Sequence, residues 1–304
     1  MPLFRADILI LGIGALFTSC TVLRPAAPAP EAVTVQPADT TAPTKPPPQV
    51  TYQVVERPTS QIHVVTVPPD APQQVHVVSK GALATLPTLA QETSAIAAIN
   101  AGFFDPQNGL TTSFVAMAGE VVADPRQNPR LMGNPQLQAF LPLILNRSEF
   151  RIYDCEGSSR YDITVREAAV PQGCELSEAV GAGPQLLPSM TGYAEGFLAD
   201  NAAGEVVRDA IGSQSRNARS AVGLKADGTV ILVMASQLPD VEQPSGLTLS
   251  EVADVLTDLE VTQALNLDGG SSSGLYFEGN TVFGRLDAAG QPIERPIKSI
   301  LLVR

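Results

Sequence analysis

Beyond residue 50, short apolar runs alternate with polar breaks, and the period of that alternation changes along the chain. Ile62-His63-Val64-Val65-Thr66-Val67 and Gln74-Val75-His76-Val77-Val78 are rich in β-branched residues and are split by Pro68-Pro69-Asp70. Both read as strands. Residues 112–117 and 120–123 flank Ala118-Gly119 and predict a hairpin. Residues 220–224 and 229–235 predict another, turning at Ala226-Asp227-Gly228. The period then switches to that of a helix. Thr248-Leu249-Ser250-Glu251 has capping-box spacing, and Val252, Val255, Leu256 and Leu259 follow at helical intervals. Two more short apolar runs come later, Ala264-Leu265 and Leu275-Tyr276-Phe277. Strands dominate, with no regular strand–helix alternation and no internal repeat. The pattern predicts the α+β class, with a strand-rich mixed sheet core and a few packed helices in a single domain over residues 51–304.

The first 50 residues have a different composition. Arg5 precedes an apolar run over residues 8–17, which is short for a bilayer span. The run ends in Leu16-Phe17-Thr18-Ser19-Cys20. Small residues before a cysteine match the lipobox of bacterial lipoproteins, although Phe17 stands where an aliphatic residue is usual. We therefore expect residues 1–20 to be a lipoprotein-type signal, with Cys20 lipidated. The alternatives are an ordinary signal cut nearby and an uncleaved anchor. Residues 21–50 carry eight prolines and read as an extended linker. The expected location is outside the cytoplasm, with the protein tethered to a membrane in the periplasm or on the cell surface.

Cysteine usage fits export. Of three cysteines, lipidation would consume Cys20, which leaves Cys155 and Cys174 to pair in an oxidising compartment. Two separate thiols are the alternative. No histidine or cysteine cluster points to a metal, and the two histidines, His63 and His76, both sit in strand-like runs as structural residues. The net charge of −12 argues against a nucleic-acid partner. A phosphate-bearing small molecule needs only one or two local cations.

Chemistry concentrates in Asn266-Leu267-Asp268-Gly269-Gly270-Ser271-Ser272-Ser273-Gly274, between two apolar runs. Glycines let a backbone approach a ligand closely, hydroxyls can bond its oxygens, and Asp268 is the only charge in the turn. Asp268 is thus the candidate for proton chemistry, with Gly269, Gly270, Ser271 and Ser272 as ligand contacts; the alternative is a turn aspartate bonded to glycine N–H groups. Calcium on Asp268 and backbone oxygens is conceivable, but no ligand series of recognisable spacing accompanies it, so no cofactor is expected. Neither serine has a histidine at hand to make it a nucleophile.

Four segments together resemble the phosphodiester glycosidase domain. They are Asn100-Ala101-Gly102-Phe103-Phe104, Gly183-Pro184-Gln185-Leu186, Arg216-Asn217-Ala218-Arg219-Ser220-Ala221-Val222-Gly223 and the Asp268 turn. The resemblance covers roughly residues 75–304. The family often has Arg-Thr where this chain has Arg219-Ser220, and one more glycine in the Asp268 turn; serine for threonine keeps the hydroxyl. The lysosomal member removes N-acetylglucosamine from a phosphodiester on mannose 6-phosphate. The resemblance implies an exported hydrolase that cleaves the glycosyl–oxygen bond of a sugar-1-phosphodiester or an envelope glycan. It selects Arg219 as the phosphate ligand, Asp268 as base, nucleophile or cation stabiliser, and Asn100 as a flanking donor. Gly183 would shape the pocket, and Arg216 would face solvent. Asp105 and Glu278 are the loose candidates for a second carboxylate. The competing reading is a non-catalytic envelope module that binds a phosphosugar or polysaccharide.

Overall fold

We describe a computed structural model of the chain, covering Leu16, residues 48–239, Val241 and residues 244–304. Cys20 and nearly all of the signal and linker segments lie outside the described residues. All elements below belong to one compact unit, Pro46–Arg304. The chain opens with β1 (Thr51–Arg57), β2 (Ser60–Val67) and β3 (Val75–Ala84), then α1 (Leu86–Glu92) and β4 (Ala97–Asn100). Next come β5 (Val115–Met117), β6 (Glu120–Ala123), α2 (Pro129–Met132) and α3 (Leu141–Leu145). Three strands of one sheet follow, β7 (Ser148–Cys155), β8 (Ser158–Val165) and β9 (Glu175–Gly181), with β7 between the other two. After β10 (Gln185–Leu187), β11 (Leu198–Asp200) and β12 (Val206–Asp209) come the long strands β13 (Arg219–Lys225) and β14 (Val230–Ser236). The chain finishes with α4 (Leu249–Asp258), β15 (Val261–Asn266), β16 (Gly274–Phe277), β17 (Asn280–Phe283) and β18 (Ile297–Val303).

One sheet has six strands, in the order β1-β2-β14-β13-β15-β10. Two sheets have five, β17-β16-β4-β18-β3 and β6-β5-β9-β7-β8, and β11 pairs with β12 alone. Every ladder among the described residues is antiparallel. The α+β class holds.

Strand periodicity explains the packing. All seven residues of β14 and of β18 are buried. Successive side chains leave a strand on opposite faces, so a strand buried on both faces reads as a continuous apolar run. In β14, Val230, Leu232 and Met234 enter the central core shared by the three large sheets. Ile231, Val233 and Ala235 face the other way, into a cluster with Val252, Val255 and Leu256 of α4. In β18, Leu301 and Val303 join the central core, while Ile300 and Leu302 meet Leu86 and Leu89 of α1. Each of these valine, leucine, isoleucine and methionine side chains contributes roughly 1.5–3 kcal/mol.

The predicted helix begins with the complete capping box, Thr248 bonding the Glu251 N–H and Glu251 returning to the Thr248 N–H. Both predicted hairpins form. The first is shorter than expected. Ser113 bonds locally to the Thr111 hydroxyl and Thr112 donates to Phe103, so pairing with β6 starts only at Val115. A disulfide joins Cys155, at the end of β7, to Cys174, just before the neighbouring β9. Both histidines have structural surroundings: Tyr52 at 2.7 Å from His63 and Glu178 at 3.1 Å from His76. No helix among the described residues is long and apolar enough to cross a membrane.

Candidate active site

The Asp268 turn carries the chain from one large sheet to another. β15 ends at Asn266 beside β13, with Ala221 opposite Asn266. Residues 267–273 then lead into β16, the neighbour of β4. The turn is fastened where these sheets meet. Asn100, the last residue of β4, donates through Nδ2 to the Asp268 carbonyl. Its Oδ1 accepts from Ser220 Oγ at 2.7 Å and from the Gly274 N–H at 3.1 Å. The Asp268 N–H donates to the Ala101 carbonyl at 2.8 Å. Gly270 adopts φ +61, which starts a single 3-10 turn over Gly270–Ser272.

A cleft of about 310 Å³ opens over this turn. Asn266 to Ser271 form its floor, and Phe103, Ala210, Ile211, Asn217 and Arg219 line it. Arg285 and Arg295 complete the rim, so Asp268 is the sole acid among the described lining residues, facing three arginines. Dense protein packing around the Asp268 carboxyl raises it from the usual 3.8 to about 6, although part of the residue stays open to the cleft. The Ser272 hydroxyl, the Arg295 charge and the Gly269 N–H, at 3.0 Å, oppose that rise.

The sequence-derived candidates separate into those on the cleft surface and those behind it. Asp268, Gly269, Gly270 and Ser271 are on the surface. The glycine N–H groups are not a phosphate cradle, however, because Gly269 donates to Asp268 and Gly270 to the Ala218 carbonyl. Ser272 is buried and serves the Asp268 carboxylate. Asn100 is 1% exposed and acts through the Asp268 backbone, so it is a positioning residue rather than a donor to ligand.

Arg219 is also buried, and its guanidinium is largely committed. Nε donates to the Leu247 carbonyl, Nη1 to Ile211, and Nη2 to both Gly212 and Ser215, all at 2.6–3.1 Å. One N–H remains, so a two-pronged grip on phosphate is not available to this expected phosphate ligand. Arg219 instead clamps the 211–215 loop that forms one wall of the cleft. Burial lowers its guanidinium to about 10, so it stays charged near neutrality. Arg216 does not simply face solvent: it pairs with Glu251 at 2.6 Å.

Gly183 lies behind the floor. Its carbonyl accepts from Asn266 Nδ2 at 2.8 Å, which fixes the orientation of that amide. Asn266 Oδ1 is buried and has no hydrogen-bond partner among the described residues. With φ +114, Gly183 is in the glycine-favoring region, and a Cβ there would lie 2.4 Å from Glu195 Oε2 and 2.9 Å from Phe197 Cε2. Glu195 cannot easily move aside, because it accepts from the Ser148 N–H and hydroxyl, the Gln185 N–H and the Thr191 hydroxyl. Gly183→Ala is expected to destabilise the fold by about 2–4 kcal/mol, read as a lower urea midpoint. An unchanged midpoint would contradict this packing.

Neither loose second carboxylate reaches the cleft. Asp105 pairs with Arg130 at 2.7 Å and caps its own turn, and Glu278 is exposed in the β16–β17 turn. The residues that sequence reasoning missed are cationic. Arg295 Nη1 donates to Ser271 Oγ at 2.7 Å, with its guanidinium 5.0 Å from the centre of the Phe104 ring. Arg285 is exposed on the rim, and its side chain makes no hydrogen bond or ion pair with the described residues. Both lie in irregular segments flanked by glycine or proline, where no periodicity marks them. Among the described residues, no cluster of three or more His, Cys, Asp or Glu could hold a metal ion.

The fold is shared with solved structures. The catalytic domain of zebrafish N-acetylglucosamine-1-phosphodiester alpha-N-acetylglucosaminidase, auto-inhibited by its pro-peptide, superposes with a TM-score of 0.57 at 18% identity. That match covers 84% of this chain and 82% of the zebrafish domain. A hypothetical protein from Synechocystis superposes with a TM-score of 0.54 at 19% identity, over 84% of this chain. The present chain spans 61% of the Synechocystis protein's length. No curated protein matches the chain. The family model for phosphodiester glycosidase matches residues 93–304, the segment that contains β4, the Asp268 turn and all three cleft arginines. This chain therefore belongs to the phosphodiester glycosidase family.

Proposed function

We propose that the protein hydrolyses the glycosyl–oxygen bond of a sugar-1-phosphodiester. The observation that carries this reading is the lone carboxylate of Asp268 in a cleft rimmed by Arg285 and Arg295. Family membership and the printed activity of the zebrafish relative support it. In the reaction, the bond between C1 and the phosphate oxygen breaks. Water supplies the oxygen that replaces it, giving a free sugar and a phosphate monoester. The leaving phosphate is already a weak base, so little general-acid assistance is needed. The demand is to stabilise positive charge at C1 and negative charge on the departing oxygen. Ionised Asp268 answers the first, as base, nucleophile or electrostatic partner. The arginines answer the second.

The test is sugar release from a panel of glycosyl-1-phosphodiesters. Binding without turnover would instead identify a phosphosugar-binding module. The pH profile is a second check. The role assigned to Asp268 needs the carboxylate, which forms as pH rises through about 6. We expect kcat/KM to be flat above that pH and to fall about tenfold per pH unit below it. A rate that increases on acidification would mean that Asp268 works as an acid.

We further propose that the enzyme acts outside the cytoplasm, on a glycosyl phosphodiester or envelope glycan, from a membrane anchor at Cys20. The Cys155–Cys174 disulfide supports an oxidising compartment. Metabolic labelling with a fatty acid, compared between wild type and Cys20→Ser, tests the anchor.

A further inference from the structure

A phosphodiester has an organic group on each side of its phosphate. If the sugar lies over Asp268, the second group must leave the cleft past the phosphate. Arg285 marks a direction for it. Its exposed guanidinium, with no partner among the described residues, lines both the Asp268 cleft and an adjoining cleft of about 430 Å³. Gln237, Ser245, Leu286, Asp287 and Ala288 line that second space; Leu238, Pro239, Val241 and Pro244 also border it, but the surface it exposes is mainly polar.

We propose that Arg285 holds the phosphate at the junction, and that the adjoining cleft is the subsite for the leaving alcohol. This rests on the reaction assigned above. The lining selects the chemical class of that alcohol. Asp287 spends Oδ1 on the Ala289 and Gln291 N–H groups, which leaves Oδ2 to accept from a hydroxyl. The Gln237 amide, fixed by the Leu286 N–H at 3.1 Å and the Ser245 carbonyl at 3.3 Å, adds a second polar contact. A carboxylate here repels a second anionic group, and this polar lining offers little to an alkyl chain. The subsite therefore takes a neutral, hydroxylated alcohol such as a polyol or sugar. A more apolar groove, bordered by Met190, Tyr193, Leu198 and Val206, lies on the opposite flank of the 209–215 loop and is the competing place for an aliphatic group.

The experiment uses calorimetric binding of three phosphate monoesters, methyl phosphate, glycerol 3-phosphate and octyl phosphate. The proteins compared are wild type, Arg285→Gln and Ala288→Trp. Ala288 is exposed, so tryptophan there fills the second cleft without entering the core. We expect wild type to bind glycerol 3-phosphate about tenfold more tightly than methyl or octyl phosphate. Ala288→Trp should erase that advantage and leave methyl phosphate binding unchanged. Arg285→Gln should weaken all three about equally, by about tenfold or more. Equal affinity for the methyl and glycerol esters, tightest binding of octyl phosphate, or an advantage that survives Ala288→Trp would each overturn the assignment. Because binding is read without turnover, the subsite can stand even if no glycosyl phosphodiester is hydrolysed, which would sink the catalytic reading alone.

Discussion

Asp268→Asn is expected to lower hydrolysis of a glycosyl phosphodiester by about 10²–10⁴-fold while making the protein more stable at neutral pH. Both effects come from one feature. The Asp268 carboxyl is crowded by protein and raised from 3.8 to about 6. A group whose acidity is weakened in the folded state binds its proton more tightly there than in the unfolded chain. Its favourable contribution is complete below about pH 3.8 and is lost as pH rises through about 6. Above that, keeping it ionised costs roughly 2–3 kcal/mol. Asparagine removes this cost and retains an oxygen to accept from the Gly269 N–H and the Ser272 hydroxyl. Urea midpoints should therefore diverge between pH 4 and pH 6, with the variant higher, and stay apart above. Turnover near the wild-type rate would end the catalytic assignment. Equal midpoints at pH 7.5 would show that the carboxylate is not held at a disadvantage.

Arg219→Met is expected to cost about 2–4 kcal/mol of stability. Arg219 serves the carbonyls of Ile211, Gly212, Ser215 and Leu247. Methionine fills much of the same volume but takes the side-chain donor from the Ile211 and Ser215 carbonyls, while Leu247 keeps the Asn217 N–H and Gly212 keeps the Ser215 N–H. A carbonyl stripped of its donor costs about 1–3 kcal/mol, and relaxation of the 211–215 loop recovers part of the sum. Arg219→Lys should fall between the two, because one ammonium cannot reproduce a planar fork that reaches four acceptors. A direct phosphate ligand predicts another outcome: Arg219→Lys would keep its stability and lose only affinity. Thermal unfolding and inorganic phosphate binding, measured on the same two variants, decide between these roles.

The long apolar elements were legible because their signals are local. The capping box and helical spacing of α4 need only about a dozen consecutive residues, and the β13–β14 hairpin is written in two apolar runs around Asp227-Gly228. The group β7–β9 was not legible. Its edge strand, Ser158–Val165, is half-polar and mostly exposed or half-buried, so neither apolar alternation nor a continuous apolar run marks it. Within the candidate site, Asp268 stood out as a single acid among glycines and hydroxyls. The arginines could not be sorted in the same way.

By itself, the sequence determined the α+β class, the two hairpins, the capped helix and the position of the cleft acid. Each of those follows from residue type and short-range spacing. Only the tertiary structure decided which cation faces the acid. Arg219 stands in a conspicuous motif, yet four backbone carbonyls brought up by folding take most of its hydrogen-bonding capacity. Arg285 and Arg295 stand in no motif and reach the rim because the strands on either side, β17 and β18, sit in the sheet that the Asp268 turn enters. A guanidinium looks the same in any sequence; its role depends on which acceptors remain near it once the chain has closed.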